Sequence, residues 1–223
     1  MRLNPSELQA VIVDLDGTMV DTLGDFVVVL NRMLDDLGLP GVERGFIERT
    51  VGKGSEHLLR RTLGRSLAPE EVERLFAPAW DRYHHHYVAI NGDHSEVYPG
   101  VREGLQALRD RGLKLACLTN KPSDFALPLL EKKGLAPFFE RTFGGDAFER
   151  KKPDPLPLLK TCEALGTAPG RTLMVGDSSN DARAAQAAGC PVVLVTYGYN
   201  HGEPVQDTPA NGYVDSLSRL FAH

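Results

Sequence analysis

The chain is 223 residues long, enough to bury a substantial core in one large domain or in a core with a smaller companion. Its net charge of -5 argues against a broad nucleic-acid footprint or an anionic membrane surface, so neither nucleic acid nor membrane is expected as a partner. A small anionic substrate stays open, because a local cation overrides the overall field.

The N-terminal stretch from Met1 to Glu7 carries no apolar signal segment, and no run approaches membrane-spanning length, which leads to an expectation of a cytoplasmic protein. Cys117, Cys162 and Cys190 are odd in number, widely spaced and set in or beside apolar runs, a pattern expected of reduced, partly buried thiols. The first element is predicted as a strand over Ala10–Asp14, short, β-branched and uninterrupted, as in a parallel sheet covered on both faces.

Residues 20–96 then carry helical spacing and no good strand. Phe26, Val27, Leu30, Met33, Leu34 and Leu37 form one helical stripe that stops at Gly38. Ser55 is placed to cap a helix through Arg61, and Pro69 to open one through Phe76. The segment is too long for a crossover connection, so it is read as a helical module inserted after the first strand. His84, His85 and His86 are adjacent, so on a helix they point apart and cannot chelate one ion; a solvated helix end is expected there.

From about residue 100 helices and strands alternate. Strands are predicted over Leu113–Thr119, Thr172–Asp177 and Pro191–Thr196. Helices are predicted over Val101–Arg111, Phe125–Lys133, Leu156–Leu165 and Asp181–Ala188, each with a glycine following, and Ser123 or Asp124 is placed to cap the second. The expected architecture is α/β, a doubly wound parallel sheet (Rossmann-like) with an inserted α-helical cap domain: core 1–19 and 97–223, cap 20–96.

Candidate chemistry gathers at the carboxyl ends of the strands, where open α/β sheets place their ligands. Asp14 and Asp16 leave the first strand, Thr119 and Asn120 the second, and Asp177 the third, with Asp181 opening the next helix. Two acids in succession can mark a solvated loop, but three further strand ends with similar groups weigh against that. Lys152 precedes Pro153, which biases it to an extended backbone before a helix, where a fixed ammonium neutralises a carboxylate and a phosphoryl oxygen. Oxygen ligands in low number suit Mg²⁺, and no His/Cys set for zinc is present. A carboxylate nucleophile divides a slow phosphoryl displacement into two steps through an aspartyl-phosphate.

The order Asp14-x-Asp16-Gly17-Thr18, Thr119, Lys152-Pro153 and Gly176-Asp177-x-x-x-Asp181 resembles the haloacid dehalogenase superfamily of phosphatases across the whole chain. That resemblance implies Asp14 as nucleophile and metal ligand, and Asp16 as general acid/base with its carbonyl on the metal. It implies Thr119 on the phosphoryl group, Lys152 holding nucleophile and phosphate, Asp177 completing the Mg²⁺ site, and Asp181 and Thr18 in support. The strings Thr50-Val51-Gly52-Lys53-Gly54, Thr119-Asn120-Lys121-Pro122 and Tyr197-Gly198-Tyr199-Asn200-His201-Gly202 are similar to those of phosphoglycolate phosphatases. Hydrolysis of 2-phosphoglycolate to glycolate and phosphate is therefore expected, with Asn120 and Lys53 as further substrate contacts. Lys53 stands where such enzymes often have Asn, a departure in the cap loop. Alternatives are another small phosphorylated metabolite (a sugar or amino-sugar phosphate, or pyrophosphate) or a phosphosugar mutase. Asp16 and Asp177 argue against a metal-free dehalogenase. Monomer and homodimer are both compatible with the sequence.

Overall fold

The computed structural model describes residues 5–221. In chain order, β1 (Ala10–Val13) leads through the short β2 (Val20–Asp21) into α1 (Leu23–Asp36), α2 (Arg44–Glu48), α3 (Ser55–Leu63) and α4 (Pro69–Ile90). The chain returns through β3 (Glu96–Val97) to α5 (Val101–Asp110), β4 (Lys114–Leu118), α6 (Ser123–Lys132) and β5 (Arg141–Phe143). It then alternates through α7 (Leu156–Leu165), β6 (Thr172–Gly176), α8 (Ser179–Ala188), β7 (Val192–Val195) and β8 (Gly212–Val214).

The six-stranded sheet runs β5-β4-β1-β6-β7-β8, and every pairing in it is parallel. Side-chain alternation divides the strands between two apolar layers. Val11, Val13, Leu115, Cys117, Leu173 and Val175 pack with α5 and α6, while Ala10, Ile12, Ala116, Leu118 and Met174 pack with α7 and α8. The sheet is thus covered on both faces, which is why its central strands read as continuous apolar runs. On α8 the sheet-facing residues are Ala182, Ala185 and Ala188, small enough to let the helix lie close to β6 and β7.

The α1–α4 bundle is the inserted helical cap. Its apolar centre includes Phe26, Leu30, Met33, Leu59, Tyr83 and Tyr87. Two residues from outside residues 20–96 enter that centre: Phe125 of α6 and Tyr199 of the loop after β7. The Phe125 ring lies 4.4 Å from that of Tyr87 and 5.9 Å from that of Tyr83, centroid to centroid. The chain enters and leaves the cap through the antiparallel pair β2–β3.

Several local expectations are corrected. The helix opened by Pro69 does not stop near Phe76 but continues to Ile90, through Pro78, because Ala79, Tyr83, Tyr87 and Ile90 extend its buried stripe. The three histidines therefore lie within the last turns of α4: His86 bonds Asp36 at 2.7 Å, and His84 faces Asp124 at 3.7 Å. Ser55 does not cap α3; Gly54 takes that position, and the Ser55 hydroxyl meets that of Tyr83. Neither Ser123 nor Asp124 caps α6, since the Ser123 amide and hydroxyl both donate to Asp146. The edge strands β5 and β8 and the β2–β3 pair are additions to the strands the sequence predicts. All three cysteines are free and buried. No helix among the described residues is long and apolar enough to cross a membrane.

Candidate active site

β1 is flanked by β4 and β6, so the order of strands reverses at the sheet centre and opens a crevice at their carboxyl ends. Asp14 and Asp177 continue β1 and β6, and the Asp14 amide donates to the Val175 carbonyl at 2.9 Å, which fixes the two acids side by side. Asp181 comes up from the first turn of α8, where its carboxylate accepts from the Ser178 amide and hydroxyl at 3.2 and 2.9 Å. One carboxylate oxygen from each of Asp14, Asp177 and Asp181 falls within 4.8 Å of the others, all buried.

Lys152 is the counter-charge. Its Nζ lies 2.9 Å from Asp14 Oδ1 and 2.7 Å from Asp181 Oδ1, and donates to the Leu118 carbonyl at 2.8 Å. Asp14 Oδ1 is buried and is met by this ammonium as an ion pair. Burial raises Asp14 from 3.8 to about 7, with Lys152 pulling downward and Asp181 pushing further up. Burial also holds Asp177 well above the usual carboxylate range, reinforced by Asp181 and Asp14. Burial alone would lower Lys152, but Asp14 and Asp181 hold it above its ordinary value.

Three buried carboxylates against one ammonium leave negative charge that the protein does not balance. Asp181 has both oxygens engaged, and Asp177 Oδ2 accepts from the Tyr199 amide at 2.8 Å. Asp14 Oδ1 is met by the Lys152 ammonium. An all-oxygen set of this kind fits a hard divalent cation.

Two glycines make room for Asp177. Gly17 has φ +81, and a methyl there would overlap the Asp177 carboxylate; a methyl at Gly198 would overlap the Asp177 Cβ. The Asp-Gly-Thr turn and the Tyr-Gly-Tyr loop are thus two sides of one cradle.

Asp16 points away from the acidic cluster, toward Lys121, whose Nζ is 3.1 and 3.4 Å from its two carboxylate oxygens. Thr119 is buried at the cavity wall, and its hydroxyl accepts from the Lys121 amide at 3.2 Å. Asn120 lines the same cavity. Its side-chain amide donates to the carbonyls of Lys152 and Gly52 and accepts from the Lys152 amide, so it braces the lysine against the cap loop. Lys53 is exposed and is absent from the cavity wall, which its neighbours Gly52, Gly54 and Ser55 help to form. Thr18 is buried below the site; its carbonyl accepts from the Tyr197 hydroxyl, and its own hydroxyl has no partner.

Lys121, Tyr87 and Phe26 were not singled out as site residues from sequence. The signal for Lys121 was available: it precedes Pro122 at a strand end, as Lys152 precedes Pro153. The cavity lies between cap and sheet, with Phe26 and Leu58 on the cap side and Asp14, Thr119 and Lys121 on the sheet side.

A parallel α/β sheet whose rim carries buried, lysine-braced carboxylates that could hold a metal ion, set under a helical cap, defines the class of site. Residues 11–195 match the haloacid dehalogenase-like hydrolase family, and the chain belongs to it. It is 43% identical over 218 residues to a phosphoglycolate phosphatase of Thiobacillus denitrificans, covering 98% of this chain and 96% of that one. A phosphoglycolate phosphatase of Vibrio vulnificus is 39% identical over 221 residues, covering 98% of this chain and 97% of its own. Among solved structures, a predicted phosphoglycolate phosphatase from Haemophilus somnus superposes with a TM-score of 0.91 at 31% identity, covering 97% of this chain and 98% of that one.

Proposed function

We propose that this protein is a Mg²⁺-dependent phosphate monoester hydrolase whose substrate is 2-phosphoglycolate. The observation that carries the reading is the convergence of Asp14, Asp177 and Asp181 around Lys152, with Asp16 at the mouth of the same cavity. The relatives named for this activity align over nearly the whole chain and supply the substrate.

Asp14 and Asp177 are the side chains that would hold Mg²⁺, with the Asp16 carbonyl, while Asp181 acts through Lys152 and Ser178. Bound there, Mg²⁺ supplies charge neutralisation at the transferring phosphoryl group. Lys152 holds the Asp14 carboxylate in place for attack. An Asp14 oxygen forms a bond to phosphorus, the P–O ester bond breaks, and Asp16 gives its proton to the leaving alkoxide. Asp16 then takes a proton from water, the water oxygen attacks phosphorus, and the Asp14–phosphorus bond breaks to release phosphate. Thr119 donates to a phosphoryl oxygen. Residues 20–96 form the cap that closes over the reacting group, and 1–19 with 97–223 the core.

The test is phosphate release from 2-phosphoglycolate beside a panel of sugar and amino-sugar phosphates and pyrophosphate, compared by kcat/KM. Release that stops in chelator, and an Asp14→Asn variant that is folded and inactive, are expected. Full activity in chelator, turnover by Asp14→Asn, or isomerised sugar phosphate in place of free phosphate would each refute the reading.

A further inference from the structure

Lys121 occupies an unusual position for a lysine. Its side chain is 1% exposed. Besides Asp16 it meets the Tyr87 hydroxyl at 2.6 Å, and its Nζ sits 4.6 Å from the centroids of both the Phe26 and the Tyr87 rings. Phe26 and Tyr87 belong to the cap, whereas Lys121 and Asp16 belong to the sheet rim, so this enclosure is complete only with the cap closed.

Among the described residues, Lys121 is the one cation in the cavity wall. Lys152 lies behind Asp14 and is engaged by three oxygens. Arg60 is tied to Glu73, and Lys53 faces outward. A second negative charge on a substrate held in this cavity has Lys121 as its counter-charge. Desolvation by the two rings makes that ammonium a stronger partner for an anion than a lysine in water.

We propose that Lys121 is the specificity-determining residue of the site, selecting phosphate monoesters that carry a carboxylate one methylene from the ester oxygen. The inference rests on the phosphatase reading and adds the contact that discriminates within it. The Asp16 carboxylate has to reach the ester oxygen to protonate it. The Lys121 ammonium is already within a hydrogen bond of that carboxylate, so it is in reach of a group attached next to that oxygen. Because Tyr87 and Phe26 complete the enclosure, the cap closes most firmly over an ester that satisfies Lys121.

The experiment compares kcat/KM for 2-phosphoglycolate and 2-hydroxyethyl phosphate, which replaces the carboxylate by a hydroxymethyl group. The comparison is made in the wild type, Lys121→Met and Lys121→Gln. A charge-assisted hydrogen bond corresponds to roughly 10- to 100-fold in selectivity, and both variants are expected to lose about that much of the wild-type preference. Because the readout is a ratio, a general loss of rate from the nearby Asp16 cancels. An unchanged ratio in both variants, or a wild type with no preference between the esters, overturns the proposal. A wild type that turns over neither ester removes the 2-phosphoglycolate reading itself, a result visible before any variant is made.

Discussion

The phenol of Tyr199 offers the sharpest test of how the cap is hinged. Its oxygen accepts from the amides of Thr22 and Leu23 at 2.9 and 3.2 Å, and its hydroxyl donates to Asp21 Oδ1 at 2.7 Å. It thereby satisfies the backbone at the start of α1, where the chain passes from sheet to cap. In Tyr199→Phe the ring stays and the oxygen goes. The Leu23 amide keeps Asp21 Oδ1 as an acceptor at 3.1 Å, and the partly exposed Asp21 turns to water. The Thr22 amide is left buried without its partner. One orphaned buried N–H costs about 1–3 kcal/mol, and the lost bond to Asp21 places the total near 2 kcal/mol. For a chain of this size that corresponds to a fall in Tm of roughly 4–8 °C by circular dichroism. Metal affinity should stay within about twofold, since Asp177 is held by the Tyr199 backbone amide, which the substitution leaves in place. A Tm shift below about 1 °C would show that the phenol does not hold the hinge.

Two further outcomes are expected. Lys152→Met removes the ammonium facing Asp14 and Asp181 and leaves two buried carboxylates uncompensated, so urea midpoints should report a loss of about 3–5 kcal/mol along with abolished turnover. A stable Lys152→Met protein would contradict the charge balance drawn for the site. His201 is held below its ordinary 6.5 chiefly by burial and then by Lys53. A lowered histidine binds fewer protons folded than unfolded, so its contribution is present above 6.5 and is lost as pH falls below it. The wild-type-minus-His201→Asn difference in stability should therefore shrink on acidification from pH 7 and stay flat above it. Asn is chosen because residue 201 has φ 57. A difference that grows on acidification would reverse the assignment.

The central strands and their acids were legible because burial on both faces leaves an unbroken apolar run that ends abruptly in a charge. Ala10–Val13 and Thr172–Gly176 show this directly. The edge strands β5 and β8 were not, since three residues of mixed polarity such as Arg141–Phe143 carry no period. The far half of α4 was missed because Pro78 reads as a breaker, while its cost is offset by the packing of Tyr83 and Tyr87. Side-chain direction was the least legible quantity. The sequence placed Asn120 beside the phosphoryl position, but only coordinates reveal that its amide is committed to Lys152 and Gly52. Lys53 was singled out for its charge, whereas the neighbouring glycines are what line the cavity.

The aromatic joint between Phe125 and the rings of Tyr83 and Tyr87 gives the lid a particular temperament. A clasp of edge-on and tilted rings, unlike one of ion pairs, gives added salt little leverage. Apolar association weakens on cooling, so the clasp loosens as temperature drops, just when the chemical step slows.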